Sequence, residues 1–129
     1  MITVGMTGCG RIASRFVPET DKVDAVCLKA VYDVDPSASA RLASEADGVQ
    51  VCGSYEELVE SVDAVYVASP HHCHYEQVKY ALEHGRHVLC ETPMVLNGVQ
   101  ARELFAMAEE RNLVLLEANK TAYCPAFNH

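Results

Sequence analysis

Six short apolar runs separated by segments with helical patterning constrain this chain more than any other feature. They are Ile2 to Thr7, Ala25 to Tyr32, Val49 to Cys52, Ala64 to Ala68, His87 to Cys90 and Leu113 to Ala118. Most are continuously apolar rather than alternating, the pattern of strands covered on both faces of a parallel sheet. Parallel neighbours need a crossover that travels back along the sheet, and the segments between the runs supply it. The expected fold is α/β, a doubly wound, mostly parallel six-stranded sheet in the order 3-2-1-4-5-6 as a single domain.

The helix starts are legible one by one. Asp35-Pro36 places an N-cap acceptor before a proline at the first helical position. Ser54 and Glu57 form a capping box in which each satisfies the other's backbone donor. Ala101, Leu104, Phe105 and Ala108 draw an apolar stripe after a start at Asn97, and Tyr75, Val78 and Leu82 draw another that stops at Gly85, a suitable C′ residue. In the first crossover, Pro18 is expected to end the helix early.

At 129 residues the chain has the size of one domain. Half of it is hydrophobic and 22% charged, which excludes disorder and fibrous repeats. The net charge of -8 argues against a nucleic-acid partner. No apolar run is long enough to span a bilayer, and Met1 to Gly5 carry no basic segment ahead of an apolar one, so a cytoplasmic location without membrane contact is expected. The six cysteines follow no metal-ligand spacing and read as thiols, with Cys27 and Cys90 acting as small hydrophobes inside apolar runs.

Gly8-Cys9-Gly10-Arg11-Ile12-Ala13 follows the first strand directly and opens a helical pattern, the setting of a dinucleotide fingerprint. Gly8 permits the tight turn, Gly10 lets a pyrophosphate approach the backbone, and Ala13 allows close packing of helix on strand. The phosphates would sit at the helix N-terminus, on free N–H groups and partial positive charge, which makes Gly8, Gly10, Arg11 and Ile12 candidate cofactor-binding residues. Asp33 ends the second strand about 25 positions after Gly8, near the spacing at which an acid accepts from the adenosine ribose. A carboxylate there repels a 2′-phosphate and no arginine follows at once, so NAD is expected over NADP.

Ser69-Pro70-His71-His72-Cys73-His74 lies at the carboxyl end of the fourth strand, the edge where ligands bind in such sheets. Adjacent residues at a helix start cannot all point at one ion, so no metal is assigned and one or two of the histidines are read as ring contacts to cofactor or substrate.

Taken together, the glycine turn, Ser69-Pro70 with His74, Gly85-Arg86-His87-Val88-Leu89-Cys90-Glu91-Thr92-Pro93-Met94 and Leu116-Glu117-Ala118 closely resemble the N-terminal Rossmann domain of the Gfo/Idh/MocA oxidoreductases over essentially the whole chain. The resemblance implies a two-domain enzyme. Residues 1–120 would be the dinucleotide-binding domain and residues 121–129 the start of a connection to a second domain, which supplies much of the substrate pocket and the oligomer interface of a homo-oligomer. It also implies that Ser69, Pro70, His71 and His74 lie against the nicotinamide half of the cofactor, that Glu91 can accept from a ribose, and that Thr92 is among the cofactor-binding residues. Thr92 stands where the family usually has a lysine near the reacting hydroxyl. Lys120, just past the neighbouring sixth strand, is the candidate to take that place as the catalytic residue.

The function expected from these readings is hydride transfer between NAD and a secondary alcohol of a sugar, polyol or related small metabolite. The 129 residues alone are expected to bind dinucleotide without turnover. The alternative is a non-catalytic NAD-binding sensor or regulatory protein that kept the fold and lost the lysine. A third reading is another Rossmann oxidoreductase, of the biliverdin-reductase or dihydrodipicolinate-reductase kind.

Overall fold

The computed structural model describes residues 1–20, 22–95 and 97–118, with the backbone alone for Arg11, Ile12 and Glu19. Strands and helices alternate strictly. They are β1 (Ile2–Thr7), α1 (Arg11–Thr20), β2 (Val26–Tyr32), α2 (Pro36–Ala43), β3 (Gln50–Val51), α3 (Tyr55–Ser61), β4 (Ala64–Val67), α4 (His71–Glu83), β5 (His87–Glu91), α5 (Gly98–Glu110) and β6 (Leu115–Ala118). The six strands form one sheet in the order β3-β2-β1-β4-β5-β6, and every pairing is parallel. This is the doubly wound Rossmann topology, as expected. The expected domain boundary after residue 120 lies outside the described residues.

Two apolar layers enclose the sheet. One side is packed by Leu58, Val59, Val78, Leu82 and Leu104 of α3, α4 and α5, and the other by Ala13, Val17 and Leu42 of α1 and α2. The caps read from the sequence are present. Asp35 accepts from Ser37 N at 3.0 Å, Ser54 from Glu57 N at 3.1 Å and Asn97 from Gln100 N at 2.8 Å. The capping box differs in one bond: Glu57 accepts from Gly53 N at 3.0 Å, not from Ser54 N. Gly85 takes φ 78° after the last turn of α4, the left-handed C′ position expected of it.

Tertiary packing overrides the sequence pattern at several places. Pro18 lies inside α1 rather than ending it. Val17 and Thr20 are buried and the Thr20 hydroxyl donates to Val17 O at 2.7 Å, so the last turn is held without the bond that proline forfeits. In the α5 stripe Leu104 and Ala108 are buried, but Phe105 is 46% exposed and faces away from the sheet. Cys27 is exposed, not a core residue, because it shares a face of β2 with Lys29, whose ammonium reaches Ser61 O at the end of α3, and the helix goes no further. Among the described residues, the strands near the β6 edge are covered on one face only. On the α1 side an apolar cavity of about 340 Å³ lies over β4, β5 and β6, lined by Phe16, Tyr66, Leu89, Val114 and Leu116 among others. Among the described residues no helix is long and apolar enough to cross a membrane.

Candidate cofactor crevice

The sheet register places the candidate residues in one row. Thr7 pairs with Tyr32 on one side and Val67 on the other, and Val67 pairs with Cys90. One step further along each strand lie Asp33, Gly8, Ala68 and Glu91, at the carboxyl edge of β2, β1, β4 and β5. Here the chain order reverses from β1 to β4, and ligands of open α/β sheets bind at that switch point. A cavity of about 500 Å³ opens there, lined by Gly8, Cys9, Gly10, Asp33, Ala68, Ser69, Pro70 and His71.

The glycine turn has the shape a dinucleotide needs. Gly8 has φ 89°, and a Cβ on it would sit 2.4 Å from Ser69 N and 2.5 Å from the Ala68 carbonyl carbon, so β1 and β4 approach there as closely as their backbones allow. A Cβ on Gly10 would meet nothing within 4 Å. That open space lies directly before the first turn of α1, whose N–H groups lack intrahelical acceptors, an arrangement able to receive an anion. Ala13 is fully buried against the sheet. The side chains of Arg11 and Ile12 lie outside the described residues, as does Lys120.

Asp33 is held in place by the backbone. Its Oδ2 accepts from Cys9 N and its Oδ1 from Asp35 N, each at 2.8 Å. Each oxygen keeps a lone pair for a further donor, so the carboxylate can accept from a sugar hydroxyl without giving up either bond. Asp35 is the helix cap expected of it. The Cys9 thiol is buried beneath the turn, donates to Tyr32 O, and is pushed up to about 12 by burial and then by the Asp33 charge, so it is an inert neutral thiol.

His74 is not where the resemblance puts it. The ring is fully buried, with Nε2 2.7 Å from Ser69 O and Nδ1 2.9 Å from Pro93 O. It joins the loop after β4 to the loop after β5 from beneath and does not line the crevice. His71 does line it, edge-on to the His74 ring at 5.5 Å. The Ser69 hydroxyl donates to Gln77 Oε1, and Gln77 Nε2 donates to Thr7 Oγ1 at 3.3 Å, so α4 braces the same loop against β1.

Beyond β5 the Thr92–Pro93 peptide is cis. Glu117 of β6 accepts from Met94 N at 2.6 Å and from the Thr92 hydroxyl at 3.2 Å. The Thr92 hydroxyl is thus directed to the Glu117 carboxylate of β6, a charged and therefore strong acceptor. Glu91 Oε1 accepts from the Tyr66 hydroxyl. The sequence reading missed Tyr66 and Gln77. A tyrosine is the one polar-tipped side chain in the otherwise aliphatic Ala64–Val67 run, and that was the available signal.

A family profile described as an oxidoreductase family with an NAD-binding Rossmann fold, Gfo/Idh/MocA, matches residues 2–119. The chain belongs to the Gfo/Idh/MocA oxidoreductase family. Among its Gfo/Idh/MocA relatives, the scyllo-inositol 2-dehydrogenase (NADP(+)) of Bacillus subtilis is 33% identical over 129 residues, covering 98% of this chain and 39% of the relative. The D-xylose 1-dehydrogenase (NADP(+)) of Hypocrea jecorina is 36% identical over 135 residues, 90% of this chain and 34% of its own. Among solved structures, GenD2 from gentamicin A biosynthesis, in complex with NAD, superimposes with a TM-score of 0.91 at 30% identity, over 96% of this chain and 36% of that one. A 3-ketoreductase from Actinomadura kijaniata in complex with NADP and TDP-benzene gives 0.84 at 36% identity, over 90% and 36%. The chain therefore spans well under half the length of the Gfo/Idh/MocA proteins it matches.

Proposed function

We propose that this chain is the cofactor-binding part of an NAD-dependent oxidoreductase acting on a secondary alcohol of a sugar, polyol or related small metabolite. The observation that carries the reading is the row Asp33, Gly8, Ala68, Glu91 across the switch point, with an open cradle at Gly10 and a carboxylate near each end. Relatives named as dehydrogenases of scyllo-inositol and D-xylose support the substrate class.

The nicotinamide supplies or accepts the hydride when bound. The residues of this chain bind and orient. Gly10 and the start of α1 take the pyrophosphate, and Asp33 accepts from the adenosine ribose. Ser69, Pro70 and His71 form the wall on the β4 side, and Glu91 accepts from the second ribose. NAD is preferred over NADP because Asp33 and Asp35 meet a 2′-phosphate with like charge and Asp33-Val34-Asp35 offers no arginine. Several named relatives use NADP, so this preference is a property of these two acids and not of the family.

Thr92 leaves no ammonium at the place where the family usually has a lysine, and we assign its task to Lys120, two residues beyond Ala118, the register partner of Glu91. In the full-length protein, assayed with NAD+ and a panel of polyols and aldoses, Lys120→Met is expected to abolish turnover while leaving NADH binding intact. Unchanged kcat in that variant would remove Lys120 from the mechanism. Binding of NADH with no turnover by the unaltered protein on any such substrate would favour a cofactor sensor.

A further inference from the structure

Resting on the cofactor reading above, we infer that Tyr66 is a positioning residue that holds the Glu91 carboxylate for the ribose on the nicotinamide side. The two halves of the sheet are built alike, β1 to β3 repeating as β4 to β6. Asp33 follows the second strand of the first half, and Glu91 ends the second strand of the other. By register the two acids flank Gly8 and Ala68 in one row, so each stands at the same depth of the crevice on its own side.

They are held differently. Asp33 takes two backbone N–H groups, whereas among the described residues the Glu91 carboxylate has one donor, the Tyr66 hydroxyl on the neighbouring strand. A glutamate has one more rotatable bond than an aspartate, and without that donor its carboxylate is free to swing over the apolar cavity beside Leu89. Tyr66 itself has little freedom. It is 5% exposed, and its ring packs edge-on against Phe16 at 4.2 Å. Burial, and after it the bond to Glu91, raises the pKa of the phenol, so it stays a donor throughout the working range. With one lone pair of Oε1 taken by the phenol, Oε2 has both of its lone pairs for a ligand hydroxyl. Phe16 belongs to α1, the helix that opens the phosphate cradle, so the same helix supports both ends of the crevice.

The test is a set of titrations on the full-length protein with NADH, which carries the second ribose with its nicotinamide, and with ADP, which lacks both. Tyr66→Phe keeps the ring and its contact with Phe16 and removes the hydroxyl alone. It is expected to raise the Kd for NADH about tenfold while leaving that for ADP within about twofold. Glu91→Ala should do the same, and adding Tyr66→Phe to Glu91→Ala should change nothing further, because the hydroxyl then has no carboxylate to hold. Unchanged NADH affinity in Tyr66→Phe, equal losses for NADH and ADP, or additive effects in the double variant would each overturn the inference while the cofactor reading stands. Failure of the unaltered protein to bind NADH would overturn the cofactor reading itself.

Discussion

The Asp33 carboxylate accepts the Cys9 N–H at 2.8 Å, which ties the acid after β2 to the glycine turn after β1 before any ligand arrives. Under the cofactor reading proposed above, a ribose and a pyrophosphate would meet one preorganised unit, with little ordering left to be done on binding. Asp33→Ala is expected to weaken NADH binding about tenfold, to narrow the preference over NADPH, and to lower stability by about 1–2 kcal/mol through the orphaned N–H groups of Cys9 and Asp35. Calorimetric titration and urea unfolding read these separately. A variant that binds NADH and NADPH as the parent does would remove Asp33 from the cofactor site.

Two glycines of the turn should fail in opposite ways. Gly8→Ala forces a Cβ onto the backbone of Ala68 and Ser69 at positive φ, so unfolding free energy should drop by roughly 2 kcal/mol or more. Gly10→Ala meets open space, so its urea midpoint should match the parent's while its NADH affinity falls.

His74→Ala should behave as a core variant that also damages the site. It removes a fully buried ring whose nitrogens face Ser69 O and Pro93 O, at a cost of roughly 2–4 kcal/mol in unfolding free energy. NADH binding should weaken with it, because the two loops the ring joins flank the crevice. Full stability with weakened binding would instead place His74 in contact with the ligand.

Stability should hold steady to about pH 9 and fall above it as far as the buried thiols are concerned. Burial pushes Cys9 and Cys90 up to about 12 from 9.0, with nearby carboxylates adding to it. The unfolded chain releases these protons above pH 9, whereas the folded protein keeps them until about 12, so the stability present at neutral pH is lost across that window. Urea midpoints measured from pH 7 to 11 check the direction. Labelling with iodoacetamide at pH 8 should leave Cys9 and Cys90 unmodified and reach the exposed Cys27.

Much of the fold was legible because its signals are local. Asp35-Pro36, Ser54 and Asn97 cap by touching residues two or three positions away, and the glycine turn is decided within six residues. The features that escaped depend on distant partners. Pro18 stays helical because Val17 and Thr20 are anchored in the core. His74 is buried because two loops, five and nineteen positions away in sequence, turn their carbonyls toward it. Tyr66 meets Glu91 only through the pairing of β4 with β5, which no spacing along the chain reveals.

The central claim, a dinucleotide site that prefers NAD, is tested most directly by calorimetric titration with NAD+, NADH and NADP+, using Gly10→Val as the control that fills the pyrophosphate cradle. Saturable binding of NAD+ and NADH, weaker binding of NADP+, and loss of all three in Gly10→Val is the expected result. Equal or tighter binding of NADP+, or nucleotide binding that survives Gly10→Val, would contradict it.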